Sequence, residues 1–284
     1  MYIRKGKGWK MLKKLEGLLQ EYGYFTVKGD LERIRIIQEM FAELFPFENL
    51  DVLLEVEDPI TPEYVIEKML EGGRGGVCYE LNSLLHIVLK EMGFDIIPAC
   101  ATVWSNEGWI IDRTHSINLL KKQNKVYLID AGSGNNQTCQ PVELDGTTVS
   151  SPAGRYRLRT EETERGTVVL EAWSEKGWTL RYSFFMEPVG WEDYNRIKRM
   201  IHYHHESPFN KTLLVAQTLT DGIISINEER LRRRWVNGKE KRIPFSSDEE
   251  MLQAVKEHFQ PSIYKAALKY VEKRNFEKFI LKER

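Results

Sequence analysis

The hydrophobic period changes once along the chain, near Pro98, and this change constrains the fold more than any other feature. Before it, residues 9–92 have mainly helical spacing, most clearly in 31–44, in 64–70 and in the segment that follows Cys78. After it, apolar and polar residues alternate in five segments that predict a small antiparallel sheet or barrel: 99–104, 115–120, 125–130, 166–172 and 179–185. The sequence therefore predicts an α+β fold.

The chain is also long enough to form several domains. Its 284 residues exceed the roughly 100–200 residues of a usual domain. Further strands (212–219, 223–226, 230–236) and helices (247–259, 263–279) are predicted beyond the barrel. We therefore predict four parts: an N-terminal helical domain (1–97), a central antiparallel β-barrel domain (98–188), an interdomain helix (189–211) and a C-terminal α/β lid (212–284).

Cys78 stands where a helix is predicted to begin. It follows the segment Arg74-Gly75-Gly76-Val77, and apolar residues then recur from Leu81 to Met92 with the spacing of a helix that buries one face. Free N–H groups and the positive end of the dipole at a helix N-terminus favour a thiolate. Most free cysteines are buried and inert, so Cys78 becomes a candidate nucleophile only if partners for it are found.

A predicted hairpin downstream supplies two such partners. His115 begins one strand, Asp130 ends the next, and residues 121–124 lie between the strands. If Leu120 pairs with Lys125, His115 lies directly opposite Asp130, close enough for the carboxylate to orient the imidazole. Cysteine, base and orienting acid together are the requirements of nucleophilic catalysis.

Four separated motifs resemble the arylamine N-acetyltransferase family. They occur in the family's order over roughly residues 10–225 and are the following segments: Pro46-Phe47-Glu48-Asn49-Leu50, the Arg-Gly-Gly-x-Cys-x-Glu-x-Asn segment of 74–82, the strand histidine with Leu128-Ile129-Asp130-Ala131-Gly132-Ser133-Gly134, and Ser207-Pro208-Phe209 with Gln217-Thr218 and Asp221-Gly222. Ser133 departs from the family, which carries phenylalanine there. The resemblance implies a papain-like cysteine catalytic core.

The resemblance also implies roles for individual residues. Cys78, His115 and Asp130 would be the catalytic nucleophile, base and orienting acid. The resemblance and the phosphate-binding geometry of glycine turns together suggest a site for acetyl-CoA, which would be formed by Asp112, Thr114, Gly132, Gly134 and Thr218. The acceptor pocket would include Phe47, Val103 and Ser133.

The implied activity is acetyl transfer from acetyl-CoA to a small aromatic amine or hydrazine, through an acetyl-cysteine intermediate. Two alternatives use the same three residues: an amide synthase, or a cysteine hydrolase of papain or transglutaminase type. A binding protein without catalysis is a third alternative. Acetylation of Cys78 distinguishes these possibilities.

Composition narrows the classes of partner. The formal net charge is −1, so no strong basic field attracts nucleic acid. No apolar run is long enough for a membrane span, and no signal-peptide pattern follows the N-terminus, so we expect a cytoplasmic protein without membrane association. The three cysteines have neither disulfide nor metal-ligand spacing, and the cluster of His202, His204 and His205 lacks completing ligands, so no metal is expected. The oligomeric state stays open, with a homodimer as one candidate.

Overall fold

A computed structural model describes residues 7–282, and the side chains of residues 13–281. The ends of the first and last predicted domains, 1–6 and 283–284, therefore lie outside the described residues. The helices are α1 (Lys7–Glu21), α2 (Asp30–Leu44), α3 (Leu50–Leu53), α4 (Pro62–Val65), α5 (Cys78–Glu91), α6 (Trp191–Tyr203), α7 (Asp248–His258) and α8 (Pro261–Lys282). A π-helical segment, Ile66–Glu71, continues α4.

The strands fall into two antiparallel sheets. They are β1 (Phe47–Glu48), β2 (Ile96–Ser105), β3 (Gly108–Trp109), β4 (His115–Lys122), β5 (Lys125–Ile129), β6 (Val142–Glu143), β7 (Val149–Ser151), β8 (Gly154–Thr163), β9 (Gly166–Ser174), β10 (Gly177–Phe184), β11 (Leu214–Leu219), β12 (Gly222–Asn227), β13 (Arg230–Trp235) and β14 (Glu240–Pro244). Helices precede the larger sheet and follow the smaller one, so the predicted α+β class is confirmed.

The larger sheet curls into a nearly closed barrel. Its strand order is β6-β5-β4-β2-β10-β9-β8-β7, with β3 paired to β2. Its two edges approach each other where Leu144, just after β6, bridges Leu158 of β8. Alternate side chains point inward and fill the barrel with a core that includes Ile117, Leu158 and Leu170. Of the five segments predicted from period-two patterning, all are strands.

The register of the β4–β5 hairpin differs from the prediction. Lys122 pairs with Lys125 and Leu120 with Tyr127, instead of Leu120 with Lys125. The turn is only Gln123-Asn124, and both residues have positive φ, 49° and 61°. Two consecutive left-handed residues form the tight turn that matches strand twist, so Lys121 and Lys122 continue the strand instead of forming a loop. The predicted register is therefore wrong by two residues.

Several strands were not predicted from the sequence. The longest is β8, in which charged residues surround the inward-facing Tyr156 and Leu158. The segment therefore has too few apolar residues for the alternation to be recognised. The other missed strands are short or strongly charged: β1, β3, β6, β7 and β14. Short strands give too few residues for a period to be recognised.

The smaller sheet joins distant parts of the chain. Its order is β1-β11-β12-β13-β14, so Phe47 of the N-terminal region pairs with Ala216 of the predicted lid. Helices α7 and α8 pack on this sheet around Met251, Val255 and Ile263. The four-part domain division stays a prediction. Within residues 7–282, none of the helices is long and apolar enough to cross a bilayer.

Candidate active site

Close backbone contacts fix the start of helix α5. A Cβ atom on Gly75 would lie 1.8 Å from the carbonyl oxygen of Pro46, so only glycine fits at that position. The Val77 N–H donates to the Glu80 carboxylate at 3.0 Å, which satisfies one N-terminal backbone donor of the helix. Cys78 is therefore the first residue of α5, as predicted, and its thiol contacts the carbonyl oxygen of Thr114 at 3.4 Å.

A network of buried charges holds the same region in place. Arg74 donates to Glu48 of β1 at 2.8 Å and to Asp51 of α3 at 2.7 Å. Lys68 lies 2.8 Å from Asp51 and 2.6 Å from Glu80. Burial lowers the pKa of Lys68, but these carboxylates raise it above its usual range, so the ammonium stays charged. The network links β1, α3 and the π-helical segment to the first turn of α5.

His115 and Asp130 meet beside Cys78. His115 is the first residue of β4, and Asp130 follows the last residue of β5. The Nε2 atom of His115 lies 2.9 Å from Asp130 Oδ2, and both side chains are buried. In the observed register they are diagonal neighbours instead of directly opposed. Side chains two residues apart on a strand share a face, so the two-residue shift preserved the contact that the sequence predicted.

Asp130 accepts hydrogen bonds at both of its carboxylate oxygens. Its donors come from four separate elements: His115, Ser133 and Tyr182 at Oδ2, and Asn82 and the Gly132 N–H at Oδ1. Tyr182 donates at 2.9 Å, and its ring centroid lies 4.9 Å from that of His115. A carboxylate with this many donors is strongly held in its ionised form.

The pKa values follow from this geometry. Burial raises the pKa of Asp130, but the charge of His115 and hydrogen bonds from His115 and Ser133 outweigh it, so the pKa lies well below its usual range. Burial lowers the pKa of His115, whereas the charge and hydrogen bond of Asp130 and a hydrogen bond with Cys78 raise it to about 10. His115 is therefore an imidazolium near neutral pH, in contact with the Cys78 thiol.

Asn82 links helix α5 to the β4–β5 hairpin. Its amide nitrogen donates to the Ser116 carbonyl oxygen at 2.6 Å and to Asp130 at 2.9 Å, and its amide oxygen accepts from the Ala131 N–H at 3.0 Å. The Ser116 hydroxyl donates in return to the Cys78 carbonyl oxygen at 2.7 Å. The position of Asn82, four residues after Cys78 on the same helix face, is a signal that sequence reasoning left unused.

Gly132 lets the Asp130 loop lie against Cys78. A Cβ atom on Gly132 would come 2.7 Å from the Cα atom of Cys78 and 2.6 Å from the Asn82 amide nitrogen. Any larger residue would push the loop away from the helix. A glycine is therefore required here by close packing, whereas the sequence interpretation had assigned it only to phosphate binding.

A cavity of about 260 Å³ opens onto Cys78 and His115. Its walls are mainly apolar and include the three predicted pocket residues, Phe47, Val103 and Ser133. Three of the predicted CoA residues also line it: Thr114, Gly132 and Gly134. Further lining residues that sequence reasoning missed are Ile110, Ile111, Leu170, Arg181, Tyr182, Ile201 and Phe209. Most of these residues lie on elements other than those that carry Cys78, His115 and Asp130, and they come together only in the folded chain.

Two predicted CoA residues do not line this cavity. Asp112 accepts a hydrogen bond from Thr102 at 2.7 Å. Thr218 is buried on β11, and its hydroxyl has no hydrogen-bond partner among the described residues. Their assignment to CoA stays a prediction.

The remaining thiols and the histidine cluster lie outside the site. Burial raises the pKa of both Cys100 and Cys139 to about 12. His202 is buried and lies 3.0 Å from the Tyr79 hydroxyl, whereas the rings of His204 and His205 stack on each other. Within the part of the chain that the structure describes, no group of three or more His, Cys, Asp or Glu side chains is arranged to hold a metal ion.

Several known proteins resemble this chain in sequence and in fold. The sequence profile of the N-acetyltransferase family matches residues 30–267. An uncharacterised acetyltransferase of Bacillus subtilis is 36% identical over 221 residues, which cover 77% of this chain and 87% of the relative. Such matches favour neither the hydrolase nor the amide synthase alternative.

Two solved structures share the fold. Arylamine N-acetyltransferase C from Bacillus anthracis has a TM-score of 0.77 and 31% identity, over 85% of this chain and 97% of its own. An arylamine N-acetyltransferase from Bacillus cereus, described as having a Cys-His-Glu catalytic triad, has a TM-score of 0.77 and 32% identity over the same shares. The family profile, the relative and both structures agree with the four sequence motifs, and the chain therefore belongs to the arylamine N-acetyltransferase family.

Proposed function

We propose that this chain transfers the acetyl group of acetyl-CoA to an arylamine or arylhydrazine through an acetylated Cys78. The observation that carries the proposal is the contact between His115 and Asp130, 2.9 Å apart, at the wall of an apolar cavity that Cys78 also lines. A thiol at a helix N-terminus beside an imidazolium is the arrangement that activates a cysteine.

The first half-reaction acetylates the cysteine. In this proposal Cys78 reacts as the thiolate paired with the His115 imidazolium: its sulfur attacks the carbonyl carbon of acetyl-CoA, a new C–S bond forms, and the bond to the CoA sulfur breaks. His115, held as an imidazolium by Asp130, gives its proton to the departing CoA thiolate. The N–H groups of Cys78 and Tyr79 lie in the first turn of α5, where backbone donors have no partner within the helix, so they can stabilise the oxyanion.

The second half-reaction transfers the acetyl group. The amine nitrogen attacks the thioester carbon, and the now neutral His115 accepts its proton while the Cys78 thiolate departs. Phe47, Val103 and Ser133 contact the acceptor in this proposal. Thr114, Gly132 and Gly134 contact CoA near the thiol, and Asp112 and Thr218 contact it farther from the cavity.

The acid of the triad is proposed to be Asp130. The Bacillus cereus relative is described with glutamate in this role, but here the carboxylate that His115 contacts belongs to Asp130. The shorter side chain is reached by five donors, including Ser133 at the position where the family carries phenylalanine. These contacts support Asp130 as the residue that orients His115.

Mass spectrometry after mixing the protein with acetyl-CoA, without an amine, tests the proposal. We expect one acetyl group on Cys78 and its loss when an arylamine is added. The control is the double variant Cys100→Ser/Cys139→Ser, because both thiols are buried and lie outside the cavity. It should retain turnover within about tenfold, whereas Cys78→Ala should take up no acetyl group. Turnover without acetylation of Cys78 would contradict the mechanism.

A further inference from the structure

Tyr79 follows the nucleophile and carries one of the backbone N–H groups proposed to stabilise the oxyanion. It is the second residue of α5, and its side chain is among the largest that are fully buried. The phenol oxygen lies 3.0 Å from Nε2 of His202, a buried residue near the end of α6. A polar contact therefore ties the first turn of α5 to a second helix.

Both partners of this contact are neutral near pH 7. Burial and the nearby Lys198 ammonium lower the pKa of His202 to about 4, so its ring carries one proton. Burial raises the pKa of Tyr79 well above its usual value, so the phenol keeps its proton. The hydrogen bond is therefore one between a phenol and a neutral imidazole.

The direction of the hydrogen bond follows from the other ring nitrogen. Among residues 13–281, the buried Nδ1 atom of His202 has no hydrogen-bond partner. If the phenol donates to Nε2, only the Nδ1–H group lacks a partner within the described residues. In the opposite direction, both the phenol proton and the Nδ1 lone pair would lack one. Unpaired buried polar groups are costly, so Tyr79 donates to Nε2.

The end of α6 that carries His202 is anchored and also borders the cavity. Ile201 lines the cavity. The Ser207 hydroxyl donates to the Ile201 carbonyl oxygen at 2.6 Å, and the Asn210 amide donates to the His202 carbonyl oxygen at 3.0 Å. Carbonyl groups at a helix C-terminus have no partner within the helix, so these bonds stabilise the last turn. His202 therefore contacts Tyr79 from a fixed backbone.

We propose that Tyr79 and His202 are positioning residues for acyl transfer, because their hydrogen bond holds the first turn of α5 where its N–H groups meet the oxyanion. The inference rests on the proposed function and goes beyond it, since neither side chain is among the described residues that line the cavity. A displacement of about 1 Å near the reacting atoms can cost about a hundredfold in rate. Loss of the hydrogen bond should therefore slow acylation of Cys78.

Two reagents for the same thiol separate this role from a general disturbance of the site. p-Nitrophenyl acetate acylates the Cys78 thiolate through a tetrahedral oxyanion: a C–S bond forms, the ester C–O bond breaks and p-nitrophenolate leaves. Iodoacetamide alkylates the thiolate by direct displacement of iodide, without an oxyanion. We expect Tyr79→Phe to slow acylation by about tenfold or more and to leave alkylation within about threefold. Nitrophenolate absorbance and mass spectrometry of Cys78 measure the two rates.

Variants of His202 test the hydrogen bond itself. His202→Leu removes the acceptor and should slow acylation as much as Tyr79→Phe does, whereas His202→Gln keeps an acceptor oxygen and should retain most of the rate. The double variant Tyr79→Phe/His202→Leu should be no slower than either single variant, because both changes remove the same contact. Additive losses would overturn the proposal, as would a His202→Gln variant as slow as His202→Leu.

Tyr270→Phe is the matched control. Tyr270 is a buried tyrosine of α8 whose hydroxyl donates to Glu228, and it belongs to a different core cluster from Tyr79. This variant removes the same buried hydroxyl and should leave both rates unchanged. If Tyr79→Phe acylated as fast as this control, the hydrogen bond would have no role in the reaction. Equal losses of acylation and alkylation in Tyr79→Phe would also overturn the proposal, since the variant would then disturb Cys78 as a whole.

NMR of the resting protein tests the hydrogen bond without any reaction. Long-range proton–nitrogen correlations should show His202 at neutral pH as a neutral ring with its proton on Nδ1, and Tyr79→Phe should shift the Nε2 resonance. A proton on Nε2 in the unsubstituted protein would overturn the proposal. Neither this measurement nor acylation by p-nitrophenyl acetate involves CoA. Both results are therefore expected even if acetyl-CoA fails to acetylate Cys78, in which case only the proposed function fails.

Discussion

At the scale of single residues, the geometry of the site depends on the hydrogen bonds that the Asp130 carboxylate accepts. Asp130 holds His115 in its charged form while Ser133, Tyr182, Asn82 and the Gly132 N–H supply further donors. Ser133 therefore has two roles, since it also lines the cavity. The family resemblance had placed Ser133 only in the acceptor pocket, where the family carries phenylalanine.

The His115–Asp130 pair should make stability depend on pH. The folded-state pKa of His115 is about 10, against about 6.5 in an unfolded chain. A raised pKa stabilises the fold fully below about pH 6.5, and this contribution is lost as the pH rises through about 10. The free energy of unfolding of the protein minus that of His115→Gln should therefore be largest near pH 6 and decrease toward pH 10, as measured by urea denaturation. A difference that is constant over this range would contradict the assigned pKa.

At the scale of elements, the β4–β5 hairpin positions the pair. Its two-residue turn places the strands in a register in which His115 and Asp130 are diagonal neighbours. Glutamine tolerates positive φ poorly compared with asparagine or glycine. The turn sequence is therefore not optimal for the turn that it forms.

Replacing the turn with Asn-Gly should stabilise the hairpin. The double variant Gln123→Asn/Asn124→Gly provides the preferred residues for two left-handed positions. We expect a gain of about 1 kcal/mol, because a non-glycine residue in the left-handed region costs about 1–3 kcal/mol and the greater freedom of glycine in the unfolded chain offsets part of the relief. Acetylation of Cys78 should be unchanged because the turn lies at the far end of both strands. Asn124→Val is the opposing variant and should destabilise the protein, because a β-branched residue does not tolerate the positive φ of this position. If both variants had the same denaturation midpoint, the observed register would be wrong.

At the scale of the whole molecule, buried charges connect the smaller sheet, α3 and the π-helical segment to helix α5. Arg74 contacts Glu48 in the smaller sheet and Asp51 in α3, and the network reaches Glu80 in α5 through Lys68. Burial lowers the pKa of Arg74, but the two carboxylates raise it above its usual range. Removing one partner would leave buried carboxylates uncompensated.

Arg74→Met should therefore destabilise the protein strongly. Breaking a buried ion pair typically costs about 3–5 kcal/mol. Arg35→Met is the matched control, because Arg35 is exposed and pairs with Glu32 and Glu39 on the surface of α2. Exposed pairs contribute under about 1 kcal/mol. Urea denaturation at neutral pH measures the free energy of unfolding of both variants. If both lost a similarly small amount of stability, the buried network would contribute little to it.

The sequence by itself determined which residues could do chemistry and which elements they occupy. Cys78 was placed at a helix start because glycines and apolar spacing are local signals, and the α+β class followed from the change of period near Pro98. The shared face of His115 and Asp130 was also predicted correctly, since strand side chains repeat every two residues and a register error of two preserves the face.

Only the tertiary structure decided which distant residues complete the site. Tyr182 reaches Asp130 from β10, and Arg181 enters the cavity through a bulge. Neither position carries a local signal, because a bulge or a contact between strands depends on pairing across long sequence separations. The hairpin turn was missed for a related reason: Gln123-Asn124 is a weak turn sequence, and its left-handed conformation is imposed by the pairing and twist of the strands on either side.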